Sequence, residues 1–401
     1  NSEFSNATGI TTIALSDTTI DATTLAATID SIDTINGGGT TLMTLASGAT
    51  INVAAGDDVA HMLLDETEQR LDIVDQNIVV TGNISVDNAN LLSATTGGTV
   101  TASITTTESI AELKTLTETS NAYTIVIASA DATATAEDLS AIAGKTTGTI
   151  NTSAVTAITG TYDQITALYG SAGVDNLGDE AISISDTLTI TKANVIDGLT
   201  TGAITANIGN SRVSELVSGT PLLNANNNNA YTIAISSEDA AVSASDLNTI
   251  NDATTVAVDL TNVTSITSSS LTDLGTLSSA INSDEFSNDS GITTIEVSDT
   301  TIDATTLAST IDSYDVINGL NTTLMTLAAG ATINVAAGDD VAHMLLDETQ
   351  LRLDIVDQNI VVTGNISVDD ANLLSATTEG TVTASITTTE SITELKTLTE
   401  T

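Results

Sequence analysis

Cysteine does not occur in the 401 residues, so no disulfide, thiolate metal site or cysteine nucleophile can form. Tryptophan is absent too, and there are only 2 Phe and 5 Tyr. That excludes a core built on rings and a sugar cleft lined by stacking aromatics. Basic residues number 7 against 52 acidic ones, for a formal charge of −45. Phosphate backbones are held by Lys and Arg, so nucleic-acid binding is excluded. A polysaccharide-acting enzyme that must neutralise an acidic substrate is disfavoured for the same reason. Proline occurs once, at Pro221, and Pro-rich linkers are absent. No apolar run approaches the roughly 18 residues of a spanning helix, so membrane insertion is not expected. The opening "NSEFSNATG" lacks the charged and apolar regions of a signal peptide. No Gly-rich phosphate loop, G-x-S-x-G elbow or Lys-centred site occurs.

What is present is aliphatic and repetitive. Apolar residues make up 41 % of the chain, more than acidic disordered chains carry. The expectation is an ordered protein with a thin aliphatic core, of the kind in which each repeat contacts only its neighbours. "TINVAAGDDVAHMLLDET" runs from Thr50 to Thr67 and recurs unchanged from Thr332 to Thr349, 282 positions on. The match extends from Phe4–Thr119 to Phe286–Thr401, with 101 of 116 positions identical. Residues 1–119 therefore read as the first copy of part of a long repeat, 120–285 as its remainder and 286–401 as the second copy. The whole reads as one continuous structure and a window on a longer array. The twin segments are expected to share one backbone, since most differences fall at polar or turn positions.

A shorter repeat lies within the long one. "YTIVIASADATATAEDLSAI" at Tyr123 resembles "YTIAISSEDAAVSASDLNTI" at Tyr231. Each begins with period-2 alternation, a strand signal. Thr135 or Ser243 then precedes an acidic third position, which predicts a capped helix carrying Leu139 and Ile142, or Leu247 and Ile250. Ile125, Ile127, Ile233, Ile235, Val256 and Val258 are expected to point inward. The same alternation of strand-like and short helical runs covers nearly all of the sequence, at roughly 20 to 40 residues per strand, so the strands should be parallel. The fold class expected is a repeat solenoid, a β-solenoid of stacked parallel strands with helical segments. A doubly wound sheet is the rival, set aside because such a sheet does not normally restart after 282 residues. Gly37, Gly98, Gly148 and Gly202 suit corners with positive φ or helix C-caps. Leu222–Tyr231, "NSDEFSND" at Asn282 and its earlier copy "NSEFSNAT" read as loops.

The texture of "YTIAISSEDAAVSASDLNTINDATTVAV" resembles the Thr/Ala/Asp-rich units of very large repetitive bacterial surface proteins, marine cyanobacterial ones among them. Some of these are haemolysin-type or adhesin-like. The resemblance implies secretion and a surface or matrix role, and it carries no catalytic residues. The calcium nonapeptide G-G-x-G-x-D of haemolysin-type proteins is not found; "NGGGTTLMTL" at Asn36 lacks the spaced Asp.

Few residues invite chemistry. His61 and His343, the two histidines, occupy equivalent places, with His61 four residues before Asp65 on a helical pattern. A metal or acid–base pair is conceivable there, but one His and one Asp fall short of a zinc ligand set. Asp57 and Asp58 precede a helical pattern, where N-capping and the helix dipole account for them. The acidic turns Ser16–Asp21, Ser185–Ile190 and Ser237–Asp246 recur at strand ends. Stacked in register, they would repel one another or collect Ca²⁺, for which no ligand set is assigned. "TVTASITTT" at Thr99 has the T-x-T spacing of ice-binding ladders, but most strands lack it, and Thr is a good strand former anyway.

The functional expectation is a structural, non-enzymatic extracellular protein that self-associates into a surface filament, layer or matrix fibre. No catalytic, cofactor or metal residues are assigned; divalent cations and glycans are candidate partners. The alternative is a repetitive adhesin stalk that grips a cell surface, a glycan or ice.

Overall fold

The computed structural model describes residues 9–37, 41–209, 212–217, 228–318 and 323–399. It divides into two compact units: Asn1–Ser185 with Gly198–Gly202, and Asp186–Asp197 with Ala203–Thr401.

The sequence alternation is realised as parallel strands joined by helices. In the first unit a seven-stranded parallel sheet runs through Thr19–Asp21, Thr50–Ala54, Asn77–Ile84, Val100–Ile104, Ala122–Val126, Ile150–Asn151 and Val174–Asp175. A smaller sheet holds Thr12–Ala14, Leu42–Thr44 and Leu71–Asp72. In the second unit a five-stranded sheet contains Ser265–Ser269, Thr294–Val297 and Leu324–Leu327, and a four-stranded one contains Thr301–Asp303, Thr332–Ala336, Asn359–Ile366 and Val382–Ile386. Paired strands lie 21 residues apart at Thr101 and Ala122, and 31 apart at Thr19 and Thr50. Such a crossover has room for a helix.

The expected β-solenoid of stacked strands is overturned. The molecule is an α/β fold, with several hydrogen-bonded parallel sheets and fourteen α-helices among the described residues. The crossovers are helices with a buried apolar face rather than corners between strands. Leu139 and Ile142 on Ala136–Ala143, and Leu247 and Ile250 on Ala244–Asn251, are buried. Burying each such side chain contributes about 1.5–3 kcal/mol, so the helices are part of the core. The 282-residue period reports copy number and does not bear on how strands and helices are layered.

The capping signals appear as read. Thr135 accepts a hydrogen bond from the Asp138 N–H, and Ser243 from that of Asp246. Ile125, Ile127, Ile233, Ile235 and Val258 are buried, but Val256 is exposed. Its place explains why. Thr96, Thr146, Thr200 and Thr378 each donate through Oγ1 to a carbonyl 20 to 23 residues earlier, and accept from the N–H two residues on. The residue two on is Gly98, Gly148, Gly202 or Gly380. In the fifth instance, Thr254, it is Val256, which therefore stands at the strand entrance and not within the strand.

Three of the corner glycines are needed for a different reason from the one expected. Gly37 does have positive φ, at 70°. Gly98, Gly148 and Gly202 do not. A Cβ on Gly98 would lie 2.2 Å from the Gln76 carbonyl oxygen, on Gly202 2.3 Å from that of Glu180, and on Gly148 2.5 Å from that of Tyr123. Close backbone approach demands the glycine.

The loops are partly different from expectation. Within Asn282–Asp289, Phe286–Ser287 forms a strand parallel to Val258–Asp259. Pro221, residues 222–227 of the Asn-rich run and "NSEFSNAT" lie outside the described residues, as does Gly39 of the Gly run.

The two long copies match element by element. Ala22–Ile35 corresponds to Ala304–Asn318, Asp57–Thr67 to Asp339–Thr349, Asn77–Ile84 to Asn359–Ile366 and Val86–Thr95 to Val368–Thr377. The register repeats as well: Thr50 faces Asn77, and Thr332 faces Asn359.

Candidate functional site

Among the described residues, a dense charge cluster in each copy centres on an arginine. Arg70 follows the helix Asp57–Thr67, after Gln69 turns the chain with φ 58°. Its Nε donates to Asp33 Oδ2 at 2.7 Å, Nη1 to Asp65 Oδ1 at 2.9 Å and Nη2 to Asp30 Oδ1 at 2.5 Å. Asp30 and Asp33 are one helical turn apart on Ala22–Ile35, and such a spacing places both on one face. The guanidinium fork thereby ties two helices together. In the second copy Arg352 pairs with Asp312 at 2.7 Å, with Asp347 at 3.0 Å, and with Asp315.

Asp65 and Asp347 are each 1 % exposed. Burial pushes both carboxyls above the usual Asp range, against the lowering pull of the arginine and of the neighbouring histidine. Burial works against the charge on Arg70, but its hydrogen bonds to Asp30 and Asp33 and the nearby carboxylates together hold its pKa up. His61 and Asp65 do share a helix, yet the hydrogen-bond partner of Asp65 is Arg70. Ala22, Leu25, Asp58, His61, Met62 and Asp65 line a crevice with space for about one water, ~10 Å³. The cluster acts as a structural tie.

Asp57 and Asp58 stand in the first turn of their helix, whose N-cap is Gly56 and has no side-chain cap bond. The dipole reading therefore accounts for them, and the N-cap reading does not. Of the acidic turns, Ser237–Asp246 is engaged by a helix through Asp239, and two carboxylates outside the three turns, Asp131 and Asp299 (the second-copy counterpart of Asp17), are engaged in the same way. Asp131 accepts from the Ile110 N–H at 2.9 Å, Asp239 from Val213 at 2.7 Å and Asp299 from Leu271 at 2.8 Å. Each carboxylate thus sits at the N-terminus of a helix 21 to 28 residues earlier, where the macrodipole favours an anion. Among the described residues no group of three or more His, Asp or Glu side chains is placed to hold a metal ion.

A further buried carboxylate, Glu180, is 0 % exposed. Its Oε2 accepts from the Tyr169 hydroxyl and from the Gly178 N–H, both at 2.8 Å. Burial, and then the bonded carboxylate, push the Tyr169 phenol far up. The pair fixes the turn at Gly178, where φ is 138°.

The sequence reading missed Arg70 and its two helix partners. The signal was present in the comparison of copies. Asp30, Asp33, Asp65 and Arg70 all recur, while Ile32, Thr34, Glu68 and Gln69 between or beside them become Tyr314, Val316, Gln350 and Leu351. Comparison with protein-family models, with curated protein sequences and with solved structures finds no match to this chain.

Proposed function

We propose that this chain is a structural, self-associating extracellular protein that builds a surface filament, layer or matrix fibre. The observation that carries the reading is the duplication itself. Two segments 282 residues apart keep the same elements, the same strand register and the same Arg–Asp tie. Repeating a whole structural segment adds length or copies of one contact surface, which a fibre or layer uses. The charge of −45 keeps such a surface hydrated and soluble until specific contacts form. Asp65, Asp347 and Asp138, whose ionisation is altered, are each paired with a basic side chain of the same copy or its neighbouring helix.

Negative-stain microscopy of the purified chain in 0.5 M NaCl tests this. Filaments or sheets that grow with protein concentration support it. Isolated single particles at every concentration contradict it.

A further inference from the structure

Strands of the seven-stranded sheet alternate between buried and outward residues. Ile51 and Val53, Ile78 and Val80, and Tyr123 and Ile125 are buried. Of the residues between and beside them, Asn52, Val79, Thr101 and Ala122 lie in one register row across four neighbouring strands, Thr101 exposed and the others half-buried. Thr101 is exposed with a paired strand on each side, so this face is open by its place within the fold. No Asp, Glu, Lys or Arg occurs in Thr50–Ala54, Asn77–Ile84, Val100–Ile104 or Ala122–Val126. In a chain of charge −45, four adjacent strands thus present an outward face without charge.

The second unit carries the same face. Asn334, Val361 and Thr383 form the corresponding row, and Thr332–Ala336, Asn359–Ile366 and Val382–Ile386 are again free of charge. None of the differences between the two long copies falls in these strands. The helices between the strands are acidic by contrast. Asp57, Asp58 and Glu66 lie on the helix that follows Thr50–Ala54, and Asp87 lies on the next one.

Charge decides what fits such a face. Two copies that approach through their helices set carboxylate against carboxylate, which opposes contact. Through the charge-free faces they meet with hydroxyls, methyls and amides alone, and the small outward residues permit the close approach of two packed sheets. Four strands at about 4.8 Å and five residues at about 3.3 Å give roughly 300 Å² a side, well under the ~800 Å² per partner of a standard interface. One contact is therefore weak. Each chain carries the face twice, once in each unit, and linked contacts reinforce one another.

Building on the self-association proposed above, we infer that the occupant of each face is the same face of a second copy of this chain, packed sheet against sheet. The contact is isologous, with one patch serving both partners. A chain that has engaged one face keeps the other for a third chain, so association continues.

Sedimentation velocity of full-length chains in 0.5 M NaCl, over a concentration series, tests the contact. Thr101→Glu with Thr383→Glu puts one carboxylate on each face. Ala94→Glu with Ala376→Glu, at exposed helix positions, adds the same charge away from both faces. The expected result is that the unmodified chain and the helix variant associate alike, while the face variant stays at the mass of one chain. A chain with Thr101→Lys and Thr383→Lys should also stay single, yet associate when mixed with the Glu face variant, which misfolded chains would not do. A Glu face variant that associates as the unmodified chain does would overturn the face-to-face contact and leave the self-association reading standing. A mixture of the Glu and Lys face variants that stays monomeric would overturn it in the same way. An unmodified chain that is monomeric at every concentration would remove both.

Discussion

Asp65 and Arg70 meet at 2.9 Å, with the carboxylate 1 % exposed and the guanidinium also held by Asp30 and Asp33. One cation faces three aspartates, with Glu68 at 3.7 Å beside them. Removing it strands a buried charge, which typically costs about 3–5 kcal/mol. Arg70→Met should lower the stability of the first copy by about 3 kcal/mol in urea unfolding. Arg70→Met with Asp65→Leu should recover more than half of that loss, because an apolar pair replaces a buried ionic one. No recovery in the double variant would show that the other two aspartates carry the cost.

Stability should rise on mild acidification. The carboxyls of Asp65, Asp289, Asp315 and Asp347 are pushed up by burial. A raised carboxyl contributes stability that is full below its unfolded pKa and lost as pH climbs through the folded value. Asp138, held down by its bond to Lys114, and Asp259, held down by Thr261 and Asn288, behave oppositely and lose their contribution as pH falls below the ordinary Asp range. The melting temperature should therefore rise as pH is lowered from neutrality toward the ordinary Asp range and fall again below that range. A calorimetric maximum at or above pH 7 would contradict this assignment.

The threonine–glycine bridges make a position-specific prediction. Gly202→Ala and Gly148→Ala put a methyl within 2.3 and 2.5 Å of a carbonyl oxygen. Each should cost about 1–3 kcal/mol, the range of overpacking. Gly144→Ala, whose Cβ would meet nothing closer than 3.5 Å, should stay within about 0.5 kcal/mol of the parent. Equal effects at Gly144 and Gly202 would mean that close approach is not what these glycines provide.

Salt should stabilise the chain through screening. With −45 charges, repulsion is softened once the Debye length falls to roughly 10 Å at 0.1 M salt. Asp131, Asp239 and Asp299 already accept helix N–H groups, so CaCl₂ should raise the melting temperature no more than NaCl of matched ionic strength. A further rise with Ca²⁺ that EDTA reverses would reveal carboxylates that converge on the ion.

Local structure was largely legible in the sequence, and layering was not. Period-2 runs such as Ile125 and Ile127, and caps such as Thr135 and Ser243, mark strands and helices because those signals act within a few residues. Val256 misled because its apolar character hid a corner defined by Thr254 two residues earlier and by a carbonyl 23 residues away. The solenoid expectation failed because strand spacing sets the length of a crossover, not the way strands and helices pack. Arg70 was overlooked because two of its three aspartate partners lie 37 and 40 residues off. Only the comparison of the two copies, in which the charges persist while their neighbours change, points to it.

The central claim, that this chain associates with itself, is tested most directly by sedimentation velocity of the unmodified protein across a hundredfold concentration series in 0.5 M NaCl. The account predicts a weight-average sedimentation coefficient that climbs with concentration across the series. A single species at the mass of one chain, 40.6 kDa, unchanged across the series, would contradict it.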